Sequence, residues 1–237
     1  LGGPDQLTHA EIPMKTILTF AASVVVLASS PTLAGDFRTL SQSCEEALAL
    51  SAIPAEMRER ASVYVWPDGR FKQTIKSDGG IHCLVERNHT DAIVPQCVTA
   101  AGADTVLPGL MFRTRKTAEG HAPDEVANML KAQFESGALK APSEPGINYM
   151  LSPFNRIYVQ QSDRIVHVAP HTMVFAPNAT NESVAGSPAL AQSKPGYPMV
   201  LESGPHGYII SFTEHAAEPD DVLSACRDQA NTEVWTA

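Results

Sequence analysis

The chain has 237 residues, 17 basic against 26 acidic side chains and a formal net charge of −9. An acidic chain with no basic cluster argues against a nucleic acid or an anionic membrane surface as its working partner, and the length is enough to bury a sizeable core. Its four cysteines, Cys44, Cys83, Cys97 and Cys226, form an even set without a C-x2-C spacing, which favours disulfides over zinc.

In chain order, residues 1–13 precede Met14 and read as an upstream extension or misplaced start. From Met14, the basic Lys15 is followed by an apolar run over 17–28 and then by Thr32, Leu33 and Ala34. That order of features predicts a secretory signal peptide over 14–34, cleaved after Ala34. The apolar run is shorter than the ~18–20 residues that span a bilayer, so no permanent membrane span is expected after cleavage. The remainder, 35–237, is expected to form a single exported domain, periplasmic or secreted.

SQSCEEALAL predicts a short helix, with Ser43 as cap and Glu46 completing a capping box. Pro54 opens a further helical turn. In VYVWPDGRFKQTIKSDGGIHCLVERN, β-branched and aromatic runs are divided by Pro, Asp and Gly, which predicts a three-strand meander over 62–66, 71–76 and 80–86. A fourth strand near 92–98 would return Cys97 beside Cys83. Residues 104–117 mix a helical apolar face with Pro108 and Gly109, whereas 123–136 carries the clear marks of a helix: Pro123 at its start, Asp124 and Glu125 in its first turn, and an apolar stripe of Val126, Met129, Leu130 and Phe134 ending at Gly137. The strongest strand signal follows, over 147–151, 156–160, 164–168 and 171–175. The tract 176–195 reads as a long surface loop. Two closing strands, 198–202 and 207–212, and a helix over 220–230 that carries Cys226 complete the chain. The fold class is therefore α+β, a mainly antiparallel sheet with about four helices. Of the three possible cysteine connectivities, Cys83 with Cys97 and Cys44 with Cys226 suit these elements best.

The phrases VYVW with its PDG turn, HCLVER, APSEPGINYMLSPFNR, VAPHTMVFAPNAT and GPHGYII together resemble a group of uncharacterised exported bacterial proteins. In that group a Cys-Leu-Val strand, a Pro-Gly-x-x-Tyr-Met-Leu-Ser segment, a Pro-His-x-Met-x-x-Ala-Pro segment and a final Gly-Pro-His recur in this order. The likeness covers most of 60–212. It implies that His171, Met173, Asn178 and His206 stand at recurring positions, which makes them ligand-binding candidates, while His167 falls in a more variable stretch.

Three chemistries can be set against the residues. His167 and His171, four apart on an unbroken strand, would face the same side, and with His206 would offer imidazoles to zinc or copper, although Pro170 interrupts the strand. A serine hydrolase would draw on Ser152, Ser187 or Ser203 with Glu202 or Asp163, yet no G-x-S-x-G is present. The carboxylates Glu86, Asp91, Glu144 and Glu214 are scattered and read as solvated surface charges. Tyr149, Met150, Phe154, Tyr158, Met173 and Phe175 are candidates to line an apolar pocket, with core packing the simpler role for each. No catalytic residue is marked. These observations favour a non-catalytic binding or envelope-associated module, with a small molecule or an envelope protein as partner, over a periplasmic enzyme that is metal-dependent or serine-based.

Overall fold

The computed structural model describes residues 37–201, 203–214 and 220–227. The expected leader at 14–34, the segment before it and Glu202 lie outside the described residues. Helix α1 (Gln42–Leu50) starts earlier than the capping box implies: Ser41, not Ser43, is the cap, and its Oγ accepts from the Cys44 amide at 3.3 Å. A buried turn at Ala52 and Ile53 and a 3-10 turn (Ala55–Arg60) lead into β1 (Ala61–Val65). Then follow β2 (Lys72–Ile75), β3 (Ile81–Glu86), β4 (Val94–Thr99), α2 (Ala100–Ala103), α3 (Val106–Ala118) and α4 (Pro123–Glu135). The second half contains β5 (Ile147–Met150), β6 (Arg156–Val159), β7 (Arg164–His167), β8 (His171–Phe175), α5 (Pro188–Ser193), β9 (Met199–Val200), β10 (Tyr208–Phe212) and α6 (Asp220–Ala225).

Eight of these strands form one sheet in the order β2-β1-β3-β4-β5-β8-β10-β9, antiparallel throughout except for β1 beside β3. The expected meander is therefore corrected, because β3 pairs with β1 and not with β2. Burial explains the choice: Ala61, Val63 and Val65 are fully covered and suit a central strand, while Lys72 and Gln73 are exposed and suit an edge. The link from β2 to β3 must then cross the chain as it enters β1. Ser62 Oγ accepts from the Ser77 amide at 3.0 Å and donates to the Ser77 carbonyl at 3.1 Å, and Ser77 Oγ donates to Glu59 O at 3.1 Å. At the crossing itself a Cβ on Gly79 would lie 2.4 Å from Arg60 Cβ and 2.5 Å from Arg60 Cα, so only glycine fits.

Strand alternation divides this sheet into two faces. Ala61, Val63, Val65, Cys83, Val85 and Cys97 point to one side, where Cys44, Leu48 and Ala49 of α1, with Ile53, Phe154 and Val222, complete a dry core. Both expected disulfides lie in this layer. Cys83–Cys97 joins residues directly opposite on β3 and β4, and Cys44–Cys226 fastens α1 to the segment just after α6. The second bridge spans 182 residues of chain, for which loop-closure entropy gives a stabilisation of roughly 5 kcal/mol.

Strands β6 and β7 form a separate hairpin, attached to the main body through reciprocal backbone bonds between Ile93 and Arg156 at 2.9 and 2.8 Å. Asn88 clamps it further, donating to Tyr158 O and accepting from Tyr158 N. The tract 176–195 is more ordered than a plain loop. Ser187 caps α5, Pro188 begins it and Ala191 is buried, while Asn181 accepts from the Val200 amide and donates to the Val200 carbonyl, both at 2.8 Å. Among the described residues no helix is long and apolar enough to cross a membrane.

Candidate functional site

The second face of the sheet carries, from β3 outward, Glu86, then Val94 and Gln96, Asn148 and Met150, His171, Met173 and Phe175, Ile210 and Phe212, and Met199. Near β3 and β4 this face is filled: Leu84 and Val98 pack with Leu107 and Leu110 of α3 and with Phe175. Farther out, α3 and α4 do not close down on the strands. A cavity of about 240 Å³ remains between the sheet floor, a roof of α3 and α4 that includes Val106, Leu110, Leu130 and Phe134, and a side wall formed by Ile157, Val159 and Val168 of the hairpin region. Its walls are mostly apolar. Met150, Met173 and Met199 on the floor are unbranched and soft, which lets such a surface adapt to the shape of an occupant.

The polar groups are gathered at the floor. Glu86 is 2% exposed and Asn148 3%, whereas Leu201 at the cavity's rim is 68% exposed. Glu86 Oε1 lies 2.8 Å from Arg113 NH1 of α3. Gln96 Nε2 donates to Glu86 Oε2, and Asn148 Nδ2 donates to Gln96 Oε1 at 2.7 Å. Burial pushes the Glu86 carboxyl up from the ordinary glutamate range, opposed by the Arg113 charge and the Gln96 amide. Glu86 Oε1 within ion-pair distance of Arg113, and Oε2 accepting from Gln96, is the arrangement of a carboxylate. A carboxylate only accepts, so Gln96 must turn its NH2 group toward Glu86 and its oxygen toward Asn148, which in turn must offer its own NH2 group. Asn148 Oδ1 is thereby left buried without a hydrogen-bond partner.

His171 lies two strands from Gln96, buried in the cavity wall and tilted against Phe212 with ring centroids 5.5 Å apart. Its Nδ1 is 2.7 Å from Ala169 O. A carbonyl only accepts, so Nδ1 carries the proton and Nε2 is an acceptor. Burial lowers the imidazole from its ordinary range, with the Ala169 carbonyl opposing the fall, and the ring is neutral at physiological pH. At the rim His206 stacks on Phe134 of α4, with centroids 4.5 Å apart and planes 15° apart, so the segment before β10 meets the roof there.

Of the residues singled out by sequence, His171, Met173 and His206 all border this cavity. Asn178 does not. It is exposed, adopts a left-handed turn with φ of 59°, and its amide donates to Gly204 O at 2.7 Å, anchoring the segment that carries His206. His167 is exposed on the hairpin with Nε2 2.6 Å from Pro153 O. It does not join His171 and His206, and among the described residues no group of three or more His, Cys, Asp or Glu is gathered as a metal site. Ser152 is buried between Ser51 Oγ at 2.7 Å and the Phe154 amide, Ser187 caps α5, and Asp163 accepts from the Tyr158 hydroxyl. Met150, Met173 and Phe175 line the cavity, Tyr149 and Phe154 belong to the opposite core, and Tyr158 stacks on His89.

The reading of Glu86 as a solvated charge is corrected: it is buried and ion-paired at the cavity floor. Gln96, Arg113 and Asn148 went unremarked in sequence. Their signal was a phase relation, since Glu86, Gln96 and Asn148 fall at strand positions whose neighbours two residues away are apolar. Fold and site together define an α+β protein with a disulfide-bonded sheet, solid on one face and hollow on the other. No protein-family model, no curated protein and no solved structure matches the chain.

Proposed function

We propose that this chain is an exported, non-catalytic binding protein that holds one small, mainly apolar molecule between the sheet and the α3–α4 pair. The observation that carries this reading is the cavity itself, an apolar space of about 240 Å³ flanked by dense packing on the same face. The role of His171 supports binding over catalysis: its Nδ1 is committed to a backbone carbonyl, not to a carboxylate that would drive it as a base. Export to the periplasm or beyond is supported by the leader pattern over 14–34 and by two disulfides, which persist in oxidising compartments. The test is a titration of the folded, oxidised protein with the apolar fluorophore N-phenyl-1-naphthylamine. The expected result is a saturable, blue-shifted emission with one site per chain. Emission that never saturates, or that matches the reduced and unfolded chain, contradicts the proposal.

A further inference from the structure

We infer that the polar end of the ligand is a hydrogen-bond donor, an alcohol or N–H group on an apolar body, whose proton goes to the buried acceptor Asn148 Oδ1, with His171 Nε2 as a second acceptor for a head that carries two. This rests on the binding reading above and adds the chemical class of what is bound. Glu86 is paired with Arg113, and that pairing fixes the direction of every hydrogen bond from Glu86 through Gln96 to Asn148. The relay has only one consistent polarity, and it ends in an acceptor. His171 reaches the same outcome independently, because Ala169 O claims its only N–H. Asn148 and Met150 are paired with Met173 and His171 respectively, so Asn148 and His171 are diagonal neighbours on adjacent strands, about 7–8 Å apart on the same face. Asn148 Oδ1 is buried with no hydrogen-bond partner among the described residues, and Nε2 is the one acceptor that the His171 ring has left.

Among the described residues Arg113 is the one Lys or Arg in the cavity wall, and an acidic head group would seek it. Glu86 already occupies that charge at 2.8 Å, and a second carboxylate would face Glu86, Asn148 Oδ1 and His171 Nε2, all of them acceptors. A buried acceptor left without a donor costs free energy, so a donor head gains what an ether or a carboxylate cannot.

The experiment displaces bound N-phenyl-1-naphthylamine at pH 7.5 with three ligands of equal chain length: 1-decanol, decyl methyl ether and decanoate. The alcohol is expected to displace the fluorophore at a concentration about tenfold or more below either of the others. In Asn148→Leu, which keeps the side-chain bulk and removes the acceptor, that advantage is expected to shrink several-fold. Equal or stronger displacement by the ether or by decanoate from the wild-type protein overturns the inference and leaves the binding reading standing. Failure of the fluorophore to bind at all overturns both. The wild-type ranking decides the matter even where the variant does not fold.

Discussion

The two faces of the same sheet are built from interleaved residues of the same strands, yet they are put to opposite uses. On the α1 side Cys83, Val85 and Cys97 meet Leu48, Ala49 and Ile53, all with no exposed surface, and two disulfides lock the layer. On the α3–α4 side Met173 and Ile210 pack with Val94, Met150 and Met199, and these residues with Gln96 and Asn148 line the cavity. The contrast teaches that packing is segregated by strand phase: one face is close-packed and cross-linked while the other leaves a cavity, the space that the proposed binding would use.

This division can be broken most forcefully at the solid face. Replacing Cys44 and Cys226 by serine is expected to destabilise the fold by about 2–5 kcal/mol in urea unfolding, while fluorophore affinity below the transition stays as in the wild type. Leu48→Ala, in the same layer, is expected to cost about 2–5 kcal/mol, because its neighbours are already close-packed and collapse only partly. Gly79→Ala is expected to cost about 1–3 kcal/mol, since the added methyl meets the Arg60 backbone at the crossing that sets the order of β1, β2 and β3. A loss smaller than about 0.5 kcal/mol there would mean that the crossing is loose.

The smallest effect is one of pH and belongs to the hollow face. Burial holds His171 below its ordinary range. Stability from a histidine so depressed is complete above the unfolded pKa of about 6.5 and is lost as pH falls through the lower folded value. Between pH 7 and pH 5 the wild type is therefore expected to lose more unfolding free energy than His171→Gln, as read from urea curves at both pH values. His82 is shifted in the same direction, mainly by burial with Asp104 opposing, so the variant should retain part of the slope.

Much of the solid face was legible in the sequence. Period-two apolar runs bounded by Gly, Pro, Asn and Asp located the strands, and a cysteine on each of two neighbouring strands anticipated the Cys83–Cys97 bridge. The pairing of β3 with β1 was not legible, because adjacency in sequence favours a meander and only the crossing at Gly79 reveals the alternative. For the hollow face, His171 and Met173 could be named from their motif, but their common cavity could not. Glu86 looked like any surface carboxylate until β3 and β4 placed it opposite Val94 and beside Gln96, with Arg113 arriving from a helix 27 residues farther along the chain. The tract 176–195 lies mostly at the surface, as its Ser, Asn and Pro content suggested, but that content did not show that Ser187 caps the short helix α5 or that Asn181 brackets Val200.

The central claim is that the α3–α4 face is the binding face and the α1 face is not. Titration of N-phenyl-1-naphthylamine into Met173→Trp and Leu48→Ala, side by side at a temperature where both are folded, tests it most directly. Met173 lines the cavity and a tryptophan there fills it, so Met173→Trp is expected to weaken binding about tenfold or more at a stability cost of about 1–3 kcal/mol, whereas Leu48→Ala is expected to bind as the wild type does despite a stability loss of similar or larger size. Undiminished binding by Met173→Trp, or loss of binding by folded Leu48→Ala, would contradict the account.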